Sequence, residues 1–104
     1  MSILSVTFHS PLDQLEAWQE YSKNVLPEMI ANLMDVERYM LSDVESEMIN
    51  EGHNTNLLLI FDNAEKRKDF VEIELLNISE LIEQRFGDSI MIFTTYLNPQ
   101  INKL

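Results

Sequence analysis

Leu57-Leu58-Leu59-Ile60-Phe61 is apolar at every position. A strand with one wet face alternates apolar and polar residues, so a strand with no polar position needs cover on both faces. Upstream, Val36 to Val44 alternates. Arg38, Met40 and Ser42 share one face, and Glu37, Tyr39, Leu41 and Asp43 share the other. Charge on both faces marks an edge strand. Between the two strands lies the polar stretch Glu45 to Asn54, where Gly52 can supply a positive φ. The reading is a hairpin of strands over about 36–44 and 55–61, the second near the centre of a sheet.

Toward the N-terminus, Leu4, Val6 and Phe8 alternate with Ile3, Ser5, Thr7 and His9, a strand with one core face. Pro11 stops it. Asp13, with Glu16 three residues on, predicts an N-cap. A helix over about 13–33 follows, its stripe made by Leu15, Trp18, Ser22, Val25, Met29 and Leu33. Pro27 predicts a kink or restart, since proline removes a helix hydrogen bond and disfavours helical geometry at Leu26. Beyond the hairpin, Asp62 or Asn63 predicts the cap of a second helix over about 64–86. Six of its eight apolar residues fall within about 140° at 100° per residue; Ile73 and Leu76 fall outside. Gly87 is placed to end this helix. A last strand covers about 89–97, with Met91, Phe93 and Leu97 opposite Ile90 and Ile92.

The order is β-α-β-β-α-β. Right-handed crossovers turn it into a ferredoxin-like α+β fold, a four-stranded antiparallel sheet with two helices on one face and the first and third strands central. Residues 1–98 read as a single domain and residues 99–104 as a loose C-terminal tail. Helices on one face leave the other apolar face open, larger than a monomer normally tolerates. The simplest cover is a second copy, sheet against sheet, so a homodimer is expected.

Seven basic residues face 18 acidic ones, a net charge of −11. Such a surface repels phosphate backbones and anionic lipids, so neither nucleic acid nor membrane is an expected partner. The absence of cysteine excludes disulfides and cysteine-ligated metals and fits a cytoplasmic setting. The N-terminus has no basic region ahead of its apolar residues, unlike a signal peptide.

Trp18-Gln19-Glu20-Tyr21-Ser22-Lys23, then Pro27-Glu28, then Arg85-Phe86-Gly87 with Thr95 in the last strand, carry a family resemblance. With the element order, they resemble the dimeric α/β-barrel superfamily, which includes antibiotic-biosynthesis-type monooxygenases and stress-responsive barrel proteins. More closely, nearly the whole chain resembles a bacterial domain-of-unknown-function family of about 100 residues. Members often carry a histidine two residues before the proline, where this chain has Val25, and more polar residues in the third strand. Both departures count against a polar catalytic site here. For the superfamily, the resemblance implies dimers and, in cofactor-free members, oxidation of electron-rich polycyclic substrates held between helices and sheet.

The residues themselves offer little paired chemistry. His9 and His53 have no orienting partner in the sequence, which a general base needs. Glu45, Glu47 and Glu51 near His53 could hold calcium, but the EF-hand spacing is absent and a solvated acidic loop is the plainer reading. No nucleophile elbow is present, and with two glycines no phosphate-cradling loop forms. Trp18, Tyr21 and Tyr39 could line a pocket for an aromatic ligand, though helical spacing makes Trp18 and Tyr21 core candidates. Arg38 could clamp a carboxylate or pair across the hairpin or the dimer. Met29 and Met40 are expected to fill the core.

The expectation is a homodimeric binding or interaction module with an apolar space between helices and sheet. Trp18, Tyr21, Arg38 and Tyr39 are its candidate ligand-binding residues. No catalytic residue, metal or cofactor is assigned, and the partner is a second copy with a small apolar or aromatic ligand. Two alternatives remain: a cofactor-independent monooxygenase or isomerase, and a structural or regulatory dimer acting through its acidic surface. A space beside Trp18 favours the module or the enzyme; a filled core there favours the structural dimer.

Overall fold

The computed structural model describes residues 1–33, 35–45 and 52–103. Four strands form one antiparallel sheet: β1 (Ser2–Ser10), β2 (Arg38–Asp43), β3 (His53–Phe61) and β4 (Met91–Leu97). Their spatial order is β2-β3-β1-β4, so the all-apolar third strand is central and β2 is an edge, as its charge pattern predicts. The fold is ferredoxin-like.

The crossover after β1 begins as a 3-10 turn at Leu12–Gln14 and continues into α1 (Leu15–Asn24) and α2 (Leu26–Ala31). The expected Asp13 cap does not form. Pro11 already sits at the entry in extended geometry, which places Asp13 inside the turn rather than ahead of it. The break before Pro27 falls at Val25, and Pro27 lies in the first turn of α2 with Glu28 beside it. Asn32 ends the element.

The second crossover is one long helix in three pieces: α3 (Ala64–Asp69), a π turn at Phe70–Glu74, and α4 (Leu75–Phe86). Asn63 caps it, its side chain accepting from the Lys66 amide at 2.9 Å. At 100° per residue, Phe70 stands about 125° from the stripe of Leu75, Ile78, Ile82 and Phe86. The wider π turn rotates the later residues back toward Phe70, so all five are buried against the sheet. The same rotation leaves Leu81 exposed although it falls within the predicted arc, and Ile73 and Leu76, outside that arc, are exposed too. Gly87 ends α4 with φ of 64° and donates to Glu83 O.

The two sheet faces differ as the alternation demands. Leu4, Val6, Phe8, Leu57, Leu59 and Phe61 are completely buried beneath the helices. Ile3, Ser5, Thr7 and His9 face the other way, opposite Ile60, Leu58, Asn56 and Asn54 on β3. No layer of the described chain covers that second face. Met40 points there and is 62% exposed, so it does not fill the core; Met29 packs against the core from α2. β3 starts earlier than expected, placing His53 in the strand rather than the loop. Residues 46–51, which include Glu47 and Glu51 of the acidic loop and most of the expected hairpin turn, lie outside the described residues.

Candidate functional site

Two regions merit comparison, the helix side and the open side of the sheet. On the helix side, α1 projects Trp18 onto the centre of the sheet, where it is fully buried. Its ring lies 5.2 Å from that of Phe8, 5.7 Å from Tyr21 and 5.7 Å edge-on to Phe86. Tyr21 meets Phe86 edge-on at 5.4 Å, and the Arg85 guanidinium lies 5.3 Å from the Tyr21 ring centre. Trp18-x-x-Tyr21 and Arg85-Phe86-Gly87 therefore converge into one aromatic cluster joining α1 to α4. The indole N–H donates to Thr55 Oγ1 at 3.1 Å. Burial raises the Tyr21 phenol above its usual range, partly offset by Arg85. The expected apolar space beside Trp18 is thus filled by side chains, because the two motifs pack on each other.

The open side has a different composition. Opposing residues across β2, β3, β1 and β4 form rows: Arg38–Ile60–Ile3–Leu97, then Met40–Leu58–Ser5–Thr95, then Ser42–Asn56–Thr7–Phe93. The first two rows bound a depression of about 360 Å³ lined by Ile3, Arg38, Tyr39, Met40, Leu58 and Ile60. Beside it runs a polar strip. Asn56 Nδ2 donates to Ser5 Oγ at 2.8 Å and Thr7 Oγ1 at 3.2 Å, and His9 Nδ1–H donates to Asn54 Oδ1 at 2.7 Å. An apolar wall with a few fixed polar groups is the usual composition of a small-molecule site.

The four residues singled out from the sequence thus separate into two places. Trp18 and Tyr21 belong to the packed cluster. Arg38 borders the open-face depression, on the far side of the sheet from Trp18. Tyr39 also borders it, but it stands opposite Leu59 on the edge strand, so alternation turns its half-exposed side chain toward the helix side. Ile3, Leu58, Ile60 and the Asn56 strip were not singled out; alternation places them on the open face, but only the strand register makes them neighbours. His53 Nε2 lies 3.1 Å from Asp43 Oδ1 at the exposed end of the hairpin, so it does have a carboxylate partner. Among the described residues, no group of three or more potential ligands is arranged to hold a metal, and no helix is long and apolar enough to cross a membrane.

Arg67, within the basic run Lys66-Arg67-Lys68, is buried. One of its amino groups donates to Ile3 O, Leu97 O and Asn98 Oδ1 at 3.0–3.1 Å, and the guanidinium lies 5.0 Å from the Tyr96 ring centre. It ties the helix start to the ends of β1 and β4, a structural use of charge.

These features define a ferredoxin-like α+β protein with a packed helix side and an open, partly apolar sheet face. The chain belongs to the family described as "Domain of unknown function (DUF4286)", which matches residues 1–100. No curated protein matches it. Among solved structures it is similar to HapK from Hahella chejuensis, with TM-score 0.69 and 12% identity over 100% of this chain and 97% of that one. It is also similar to a dimeric ferredoxin-like protein from an uncultured marine organism, with TM-score 0.65 and 14% identity over 99% and 100%. A third similar structure is a candidate antibiotic-biosynthesis monooxygenase from Deinococcus radiodurans, with TM-score 0.64 and 10% identity over 100% and 99%. At such identities the likeness establishes the fold alone.

Proposed function

We propose that the chain is a homodimeric binding module whose ligand space lies on the open face of the sheet. One observation carries this reading. The helix side is filled at Trp18, whereas the open face joins the 360 Å³ depression to a hydrogen-bonded polar strip. A second copy laid sheet to sheet covers Met91 and Phe93, each 51% exposed, together with Met40, and turns the depression into an enclosed space. The similar marine protein is described as dimeric, which supports a dimer. Apolar burial between the sheets supplies the driving force at roughly 25 cal/mol per Å².

The test is sedimentation velocity together with native mass spectrometry of the protein as purified. A dimer is expected for the wild type, and a folded monomer for Leu58→Glu, which buries an unpaired carboxylate in the interface. A wild-type monomer at micromolar concentration overturns the sheet-to-sheet arrangement.

A second reading, a purely structural or regulatory dimer, is favoured by the filled interior around Trp18. Mass retained on the purified dimer discriminates, since a structural dimer carries none. The monooxygenase or isomerase reading rests on fold likeness to proteins such as the Deinococcus structure.

A further inference from the structure

Resting on the reading that the open face holds the ligand, we infer that the ligand is an apolar monocarboxylate. Its hydrocarbon body occupies the depression of Ile3, Met40, Leu58 and Ile60, and its carboxylate sits on Arg38.

The lining sets the first half of this assignment. Ile3 and Ile60 are directly paired across β1 and β3, and Met40 is paired with Leu58 across β2 and β3, so four apolar side chains share one patch. Such a surface gains from apolar contact and offers nothing to a fully hydrated polar molecule. Arg38 stands opposite Ile60 in the same row, so its charge is at the rim of the apolar patch rather than across the sheet.

The sign of the head group follows from Arg38. The chain has 18 acidic residues to seven basic ones, so a carboxylate partner for any cation is easy to supply. Even so, the ion pairs among the described residues are His53–Asp43 and Lys66–Asp62, and neither uses Arg38. The other two arginines have structural uses: Arg67 on carbonyl oxygens, Arg85 on the Tyr21 ring. Arg38 is the arginine that lines the depression, and a guanidinium's planar fork matches a carboxylate bidentately.

The number of charges follows from the whole protein. A net charge of −11 raises the energy of every anion near the surface, and a dianion is penalised twice as much. One guanidinium offsets one negative charge. A phosphate ester therefore fits worse than a carboxylate, and the apolar body, which the field does not repel, must supply most of the affinity.

The test is calorimetric titration of the full-length protein with octanoate and with its uncharged analogue octanamide, in wild type, Arg38→Gln and Arg38→Lys. Octanoate is expected to bind more tightly than octanamide. Arg38→Gln should weaken octanoate about tenfold or more while leaving octanamide unchanged, the loss of a charge-assisted pair. Arg38→Lys, a point charge without the fork, should fall between. Equal binding of the two probes, octanoate binding indifferent to Arg38→Gln, or no octanoate binding at all overturns the inference; the last result is expected if a side chain of the second copy fills the depression. Subunit number, read by sedimentation on the same samples, separates the two proposals. A monomer that binds octanoate through Arg38 overturns only the dimer, and a dimer that prefers octanamide overturns only the carboxylate.

Discussion

The indole N–H of Trp18 and the hydroxyl of Thr55 form a buried 3.1 Å hydrogen bond that joins α1 to β3, 37 residues apart in the chain. It explains why a threonine occupies the core-facing position of β3 next in alternation to Leu57 and Leu59. A buried indole needs an acceptor, and the β-branched hydroxyl supplies one without disturbing the strand. Thr55→Val keeps the shape and removes the acceptor. It is expected to cost about 1–3 kcal/mol, and much less in a Trp18→Phe background, where no donor is orphaned. Urea unfolding of the double-mutant cycle measures the coupling; additive single effects would contradict it.

Arg67 holds the ends of β1 and β4 through three hydrogen bonds from one amino group. Arg67→Met, which keeps the apolar stem, should destabilise the protein by about 2–4 kcal/mol, since charge-assisted bonds are lost and two strand-end carbonyls lose a partner. Arg67→Lys should not restore the full set, because one ammonium on a flexible stem replaces a fixed planar fork. Hydrogen exchange should show the loss concentrated at the Leu97 end of β4. A uniform loss of protection would mean that Arg67 acts on the whole core.

The two glycines should respond differently to alanine. Gly52 has φ of 132°, and a Cβ there would run into the Ser10 carbonyl oxygen and the His9 ring. Gly52→Ala combines strain with a backbone clash and should cost about 2–4 kcal/mol. Gly87 has φ of 64° with open space around it, so Gly87→Ala should cost about 1 kcal/mol, from conformation alone. Thermal unfolding of the two variants orders them directly.

Tyr21 sets an alkaline limit. Burial raises its pKa above the ordinary value near 10, with Arg85 pulling the other way. In the unfolded chain the phenol ionises first, so between the unfolded and folded pKa values the unfolded state holds fewer protons. Stability is then full below about pH 10 and declines as pH rises toward the folded pKa. Tyr21→Phe should flatten that decline. Urea midpoints from pH 8 to 11 test it, and an equal decline in the variant would assign the effect to other groups.

On the open face, Leu58→Glu should convert dimer to monomer with the far-ultraviolet circular dichroism unchanged. Ser42→Glu, at the outer edge of the polar strip, should weaken the dimer less, because its charge keeps contact with water. Comparable losses would move the centre of the interface toward β2.

Much of this architecture was legible in local sequence. The alternation of β1 separated Leu4, Val6 and Phe8 from Ile3, Ser5 and Thr7, because side chains of a strand leave on opposite faces. Pro27 broke the first helix, Asn63 capped the second and Gly87 ended it, each through the chemistry of one residue and its near neighbours. The all-apolar run Leu57 to Phe61 marked the strand as central and the far face as needing cover. Asp13 misled because Pro11 moved the start of the turn.

The candidate site was less legible, since it depends on which distant residues meet. Trp18 and Tyr21 have the spacing of a pocket wall and of a core stripe alike, and only the arrival of Phe86 and Thr55 decides for the core. The π turn that brings Phe70 into line with Ile78 and Ile82 answers to the fit of the whole helix on the sheet, which no local spacing encodes. Arg38 beside Ile60, and Asn56 between Ser5 and Thr7, follow from strand register. The sequence by itself determined the elements, their order and their faces, because these follow from periodicities of two and 3.6 residues. The tertiary structure decided that the space beside Trp18 is filled by side chains and that an apolar depression bordered by Arg38 forms on the open sheet, because packing and register are settled among residues far apart in the chain.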